Sequence, residues 1–168
     1  YRGVTETKEP HRIGHEFIGV VEAVGERVST LEVGDFVIAP FYVCCGTCAN
    51  CLNGIGTSCL NGGWWGSEVR DLGFADGAQG ELVRAPLADG SLFNVTRAIG
   101  GQPDPALIPS LLTLADVMGT GHHAAISAGV TPGATVAVVG DGAVGLCGVL
   151  AAKRLGAGRI IAMSRHED

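Results

Sequence analysis

Four cysteines, Cys45, Cys48, Cys51 and Cys59, fall within one fifteen-residue stretch that reads CGTCANCLNGIGTSC. The intervals of two, two and seven residues let one short segment wrap four sulfurs around a single ion. A tetrahedron of thiolates suits Zn²⁺, with metal–sulfur distances of about 2.3 Å. All four corners are protein ligands, so no position is left for water or substrate. The predicted site is structural: a loop (residues 44–59) held by metal rather than by a large core. Two disulfides compete on paper, but cysteines so close in sequence pair poorly without strain. An iron–sulfur cluster also takes four thiolates. A nucleic-acid-binding zinc ribbon is disfavoured by the acidic balance of 11 basic against 17 acidic residues. Cys44 should point away from the metal and is given no role. Cys147, in an apolar run, reads as a small core residue.

The formal charge of −6 argues against a polyanion partner. No secretory leader is read at the start of the chain, and six cysteines without a leader point to a reducing compartment, the cytoplasm. Ala134 to Ala152 carries one charge, Asp141, and imitates a membrane span of about 20 residues. Four glycines and a β-branched start make it a strand, a glycine turn and a helix instead. The expectation is a chain with no membrane partner.

Two textures follow along the chain. From about Gly14 to Val95, short strands alternate with turns: Phe17 to Val24, Phe36 to Ala39 closed by Pro40, and Gly80 to Ala85. Pro103, Pro105 and Pro109 mark a connector. Helical periodicity begins at Ala106, with Gly119-Thr120-Gly121 expected to interrupt or kink it. The second texture starts at Gly133. Thr135 to Val139 is a buried-strand run. It is followed by Gly140-Asp141-Gly142-Ala143-Val144-Gly145, a helix to about Leu155 with Gly156 as its stop, and a strand from Arg159 to Ser164. A GxGxxG alone is weak, but strand before, helix after and a second strand are the required context. Gly140 permits the tight turn, Gly142 lets backbone approach a pyrophosphate, and Gly145 allows close helix–strand packing. The helix N-terminus, with Ala143 and Val144, then faces the anion. An NAD site places an acid about 20 residues past the glycines. Here stand Ser164 and Arg165, and an arginine can neutralise a 2′-phosphate, so NADP is favoured over NAD. Glu167 or Asp168 serving NAD is the alternative.

Gly14-His15-Glu16, the four-cysteine loop, Thr120-Gly121 with His123-Ala124, and Gly140 to Gly145 occur in that order. In this the chain resembles the zinc-dependent alcohol dehydrogenases of the medium-chain dehydrogenase/reductase family. The resemblance implies α+β and α/β architecture. A GroES-like, β-barrel-like catalytic domain (residues 1–115) is followed by the first half of a Rossmann domain (residues 116–168). It implies a catalytic zinc on His15 and Asp116, with Glu16 close to the metal or steadying its ligands, and Thr120 near the nicotinamide. It implies hydride transfer between a small alcohol, aldehyde or ketone and NAD(P), in a homo-oligomer, dimer or tetramer. The family places a further cysteine ligand upstream of the Gly-His-Glu motif, and no cysteine here precedes Cys44. The chain also stops just after the second Rossmann strand. The expectation is therefore a piece of a longer enzyme, inactive alone and exposing apolar sheet edges. The rival readings are a non-catalytic zinc-stapled unit with partial nucleotide binding, and a zinc-free quinone or enone reductase of the same superfamily. His122 and His123 read as packing or hydrogen-bonding residues. Trp64 and Trp65 line a substrate cleft or pack locally.

Overall fold

The structure is a computed structural model that describes residues 11–165. The chain divides into two compact units that meet at Ile108 and Pro109.

The first unit is built from short antiparallel strands. β1 (Phe17–Val20), β2 (Phe36–Ala39) and, later in the chain, β7 (Phe93–Asn94) form one sheet in the order β1-β2-β7. The β1–β2 register runs from Phe17 opposite Ala39 to Val20 opposite Phe36. All four residues of β2 are buried, as its unbroken apolar run requires. β3 (Tyr42–Val43) pairs with β4 (Gly63–Trp64), and the cysteine segment runs between them as an excursion carrying the short helix α1 (Ala49–Leu52). β5 (Ser67–Val69) and β6 (Gly73–Ala75) form a hairpin. The helices α2 (Ala88–Ser91) and α3 (Val95–Ile99) flank β7. The core is Ala39, Val43, Trp65, Val69 and Ala75, with Phe17, Val83 and Ala85 packed against it.

Two expectations need correction in this unit, and one open alternative is settled for Trp65, which packs locally. The first strand stops at Val20 rather than Val24. Its partner turns away at Gly34, whose φ of +96° is glycine territory, and Glu32 N–H is bonded to the Asp35 carboxylate across that turn. Gly80 to Ala85 is not a strand. Its alternation is genuine, with Leu82 71 % exposed while Val83 and Ala85 face the core. The local chain bonds to no ladder: Gly80 N–H turns back to Ala78 O, and Arg84 reaches the Phe74 carbonyl at 3.0 Å through its side chain. Trp65 is core, its ring edge-on to Phe17 at 4.9 Å and its Nε1–H donating to Pro40 O at 2.7 Å. Trp64 is half exposed and stacks on Phe41.

α4 (Ile108–Leu112) straddles the boundary, and the second unit then carries α5 (Val117–Ser127), β8 (Thr135–Val139), α6 (Ala143–Arg154) and β9 (Arg159–Met163). β8 and β9 are parallel and in register from Thr135 opposite Arg159 to Val139 opposite Met163, with α6 as the crossover. The apolar stretch from Ala134 is thus divided between a strand and a twelve-residue helix. Among the described residues, no helix is long and apolar enough to cross a membrane. The proline connector is a 3-10 turn at Pro105–Leu107, capped by the Asp104 carboxylate on Ala106 N–H at 2.9 Å. The expected interruption at Gly119-Thr120-Gly121 lies elsewhere. Those residues are inside α5, and the break falls at Asp116, with φ −148° and ψ −67°. Gly121 has a packing reason to be glycine: a Cβ there would meet Gly148 N at 2.6 Å, so it lets α5 cross α6 closely.

Candidate functional site

The cysteine lobe is folded by its own short-range bonds. Cys45 follows the buried end of β3, Cys48 is the N-cap of α1, Cys51 lies within α1, and Cys59 ends a 3-10 turn at Gly56–Ser58. The Asn50 side chain donates to Ser58 O at 2.6 Å and Asn50 O accepts from Ile55 N–H, which closes the loop. The four sulfurs all lie within 4.8 Å of one another. Cys48–Cys51 is 3.5 Å, Cys45–Cys59 is 3.6 Å and Cys48–Cys59 is 3.9 Å. A tetrahedron with arms of about 2.3 Å has edges of about 3.8 Å, so the donor set fits zinc in size as well as in chemistry. A disulfide needs sulfurs about 2 Å apart, and all six cysteines are free.

Electrostatics say the same. The Thr47 hydroxyl, the Thr47 and Cys48 N–H groups and the Asn61 amide hold the Cys45 thiol down to about 5. Cys48 is also lowered, chiefly by the backbone N–H of Cys51. Cys51 is pushed up to about 12, by desolvation first and then by the neighbouring sulfurs of Cys48 and Cys59. Four anions cannot share this volume without a cation, so the metal-free loop keeps a proton on Cys51. Zinc binding at neutral pH is therefore expected to release at least one proton per ion. Affinity should rise with pH throughout the window from about 5 to about 12 set by Cys45 and Cys51. An indicator titration measures the release. Zinc uptake with no proton released at neutral pH would contradict it.

His15 and Glu16 immediately precede β1, both exposed, with His15 Nε2 3.9 Å from Glu16 Oε1. The turn that presents them is anchored by Ala78 N–H on Gly14 O and Gln79 N–H on Ile13 O, each 2.9 Å. In the second unit, Asp116 sits at the N-cap of α5 and its Oδ1 accepts from the Thr120 hydroxyl at 2.7 Å. Asp116 and Thr120 are thus brought together. His123 Nε2 lies 3.4 Å from Ser127 Oγ, a helix-surface contact.

The glycine motif joins β8 to α6. Gly140 has φ +107°, and a Cβ on Gly145 would stand 2.0 Å from Gly140 O. A Cβ on Gly142 meets nothing within 4 Å, so the backbone there is open to a neighbour. Gly142, Ala143 and Val144 border a cavity of about 570 Å³ within this unit, a volume within the range of small-molecule sites. Ser164 and Arg165 follow β9, both exposed. Glu167 and Asp168 lie outside the described residues. Sequence reasoning missed Asp141 as a partner. Its carboxylate accepts from Ser164 Oγ at 2.5 Å, tying the glycine turn to the end of β9. Its place inside the glycine motif was the available clue.

Residues 1–96 match the alcohol dehydrogenase GroES-like domain. The chain is 38 % identical over 166 residues to the glutathione-independent formaldehyde dehydrogenase of Pseudomonas aeruginosa, covering 95 % of this chain and 40 % of that protein. It is 35 % identical over 161 residues to the L-threonine 3-dehydrogenase of Bacillus subtilis, covering 95 % and 41 %. Among solved structures, the alcohol dehydrogenase TADH from Thermus sp. ATN1 superposes with a TM-score of 0.76 at 35 % identity, over 92 % of this chain and 42 % of that one. The chain spans about two fifths of the length of the curated relatives it matches. The order of the motifs, the tetrahedral cluster of thiols and the matched domain agree: the chain belongs to the zinc-dependent alcohol dehydrogenases of the medium-chain dehydrogenase/reductase family.

Proposed function

We propose that this chain serves NAD(P)-dependent oxidation of an alcohol, or reduction of an aldehyde or ketone, with zinc. The observation that supports it most is the four thiols at tetrahedral spacing in a chain of this family. In this reading Cys45, Cys48, Cys51 and Cys59 hold a structural zinc. His15 and Asp116 hold a catalytic one with Glu16 beside it, on the strength of their place in the motif order. When bound, that second zinc supplies Lewis acidity toward the substrate oxygen, and the nicotinamide accepts or returns the hydride.

The chain's own residues bind and orient. The Thr120 hydroxyl donates to one oxygen of Asp116 and fixes the orientation of that carboxylate. Residues 116–168 act as the first half of a Rossmann domain, with the Gly140–Gly145 turn receiving the pyrophosphate on its open backbone at Gly142. Arg165 answers a 2′-phosphate, which favours NADP. The substrate is a small alcohol or aldehyde, as the relatives' names suggest for them. Assembly as a homo-oligomer and a cytoplasmic location belong to the same proposal.

Elemental analysis tests the metal sites: two zinc ions per chain are expected, and one would overturn the catalytic set. Alcohol oxidation is to be assayed with NADP and NAD on this chain and on a version lengthened to match the relatives. Activity is expected only in the longer form. Arg165→Ala there should raise KM for NADP about 10-fold and leave NAD almost unchanged. A variant that treats both cofactors as before would remove the NADP preference.

A further inference from the structure

The cysteine lobe is held from outside by a segment far away in sequence. α2 contributes Asp89, Gly90 and Ser91, and each has a separate task. Ser91 is fully buried. Its Oγ accepts from Cys44 N–H at 3.1 Å and lies 3.2 Å from Cys44 O and 3.0 Å from Pro86 O, either of which takes its proton. Gly90 touches the chain at the first ligand: a Cβ there would stand 2.4 Å from Cys44 O, 2.5 Å from Cys45 C and 2.6 Å from Gly46 N. The Cys44 thiol, which has no place in the metal site, donates to Gly90 O at 3.0 Å. Asp89 then fastens α2 itself. Its carboxylate accepts from the N–H and hydroxyl of both Ser29 and Thr30 at 2.7 to 3.1 Å.

We propose that Gly90 and Ser91 are positioning residues for the zinc site, clamping the backbone at Cys44–Gly46 so that the Cys45 sulfur is held where the metal needs it. The clamp gives Cys44 its role, as the thiol that closes it. The lobe supplies little rigidity of its own, since neither α1 nor the 3-10 turn contains a buried residue. Cys45 Sγ is therefore placed by its own backbone, and that backbone is placed by α2. This inference rests on the reading of the four thiols as a zinc site.

The experiment uses this chain loaded with zinc, and separately with Co²⁺ as a spectroscopic probe. It measures zinc loss to a chromophoric chelator and the cobalt–thiolate absorption. Ser91→Ala leaves Cys44 N–H buried without its partner, and Gly90→Ala drives backbone apart. Residues that orient metal ligands typically cost 10–100-fold in affinity when changed, so both variants should release zinc about 10–100-fold faster and shift the cobalt bands. Cys44→Ser, which keeps a donor for Gly90 O, should stay within about 3-fold of the parent. Val95→Ala, a core lesion in α3, should lower thermal stability and leave the release rate within about 2-fold. Should Gly90→Ala fail to fold, Ser91→Ala carries the comparison. Release at the parent rate in Ser91→Ala, or equal acceleration in Val95→Ala, overturns the clamp. Failure of the unaltered chain to take up cobalt on thiolates overturns the zinc reading instead, so the two failures are distinct.

Discussion

Cys59→Ser is expected to empty the lobe of its metal and to melt residues 47–62 while the rest of the first unit stays folded. The reason is that the lobe has almost no other source of stability. α1 is four residues long, far below the length at which an isolated helix persists. Leu52, Ile55 and Leu60 are 75 %, 50 % and 54 % exposed, so the apolar residues of the loop bury little. Beyond the clamp at Cys44–Gly46, what remains is a handful of local hydrogen bonds, each worth about 1 kcal/mol net, against a backbone ordering cost of about 1–2 kcal/mol per residue. Zinc closes that gap: structural sites of this type contribute about 10–16 kcal/mol of apparent binding free energy at neutral pH. Serine offers a poor ligand to a borderline-soft ion, and three thiolates cannot complete the tetrahedron. Hydrogen exchange should show protection lost across the lobe and kept in β1, β2 and the β5–β6 hairpin, and stripping the parent with a chelator should reproduce that pattern. A serine variant whose lobe amides stay protected would show that the metal is not what folds this segment.

The parts of the molecule that were legible in the sequence are those whose physics is local. The four sulfurs converge because intervals of two, two and seven residues keep them in one short loop, and α1 begins directly after Cys48, its N-cap. The unit β8-α6-β9 was legible because the change from a β-branched run to helical spacing falls on the glycines. The observed strand covers Thr135–Val139 as expected, but it is not the buried strand the run suggested: its residues alternate between exposed and half-buried, and none is buried. Where partners are distant, the sequence was mute. Gly80 to Ala85 has strand alternation but no ladder, and alternation reports burial rather than pairing. Nothing near Ser91 announces that its partner is Cys44, 47 positions away, or near Asp89 that its partners are Ser29 and Thr30, about 60 away. Trp64 ends β4 and is half exposed, whereas Trp65, the first residue of the turn that follows, is buried in the core. The exposed apolar surface of the second unit was legible as a consequence of sheet edges, and Val139 is 81 % and Met163 49 % exposed.

In the second unit, Gly145→Val is expected to prevent β8 and α6 from packing, and Gly142→Ala to leave them packed but poor at holding a dinucleotide. The two glycines stand three residues apart in one motif and are constrained by different things. A Cβ on Gly145 falls 2.0 Å from Gly140 O, and both partners are backbone of the same turn, so neither can swing aside. Relief requires the first turn of α6 to lift from the strand by more than 1 Å, and overpacking of this kind costs about 3 kcal/mol. That is a large fraction of what a small parallel pair with exposed faces has to lose. At Gly142 the backbone is extended, with φ −72° and ψ 178°, a conformation open to any residue, and a Cβ meets nothing. Alanine there should cost the fold almost nothing. Its methyl would instead stand in the space a pyrophosphate takes, and dinucleotide affinity should fall about 10-fold. Thermal melting and calorimetric titration with NADP separate the two effects, with zinc content as the internal control because the thiol site belongs to the first unit. If Gly142→Ala binds dinucleotide as the parent does, the open backbone at Gly142 is not where the phosphates lie. If Gly145→Val melts with the parent, the close approach of α6 to Gly140 does not hold this unit together.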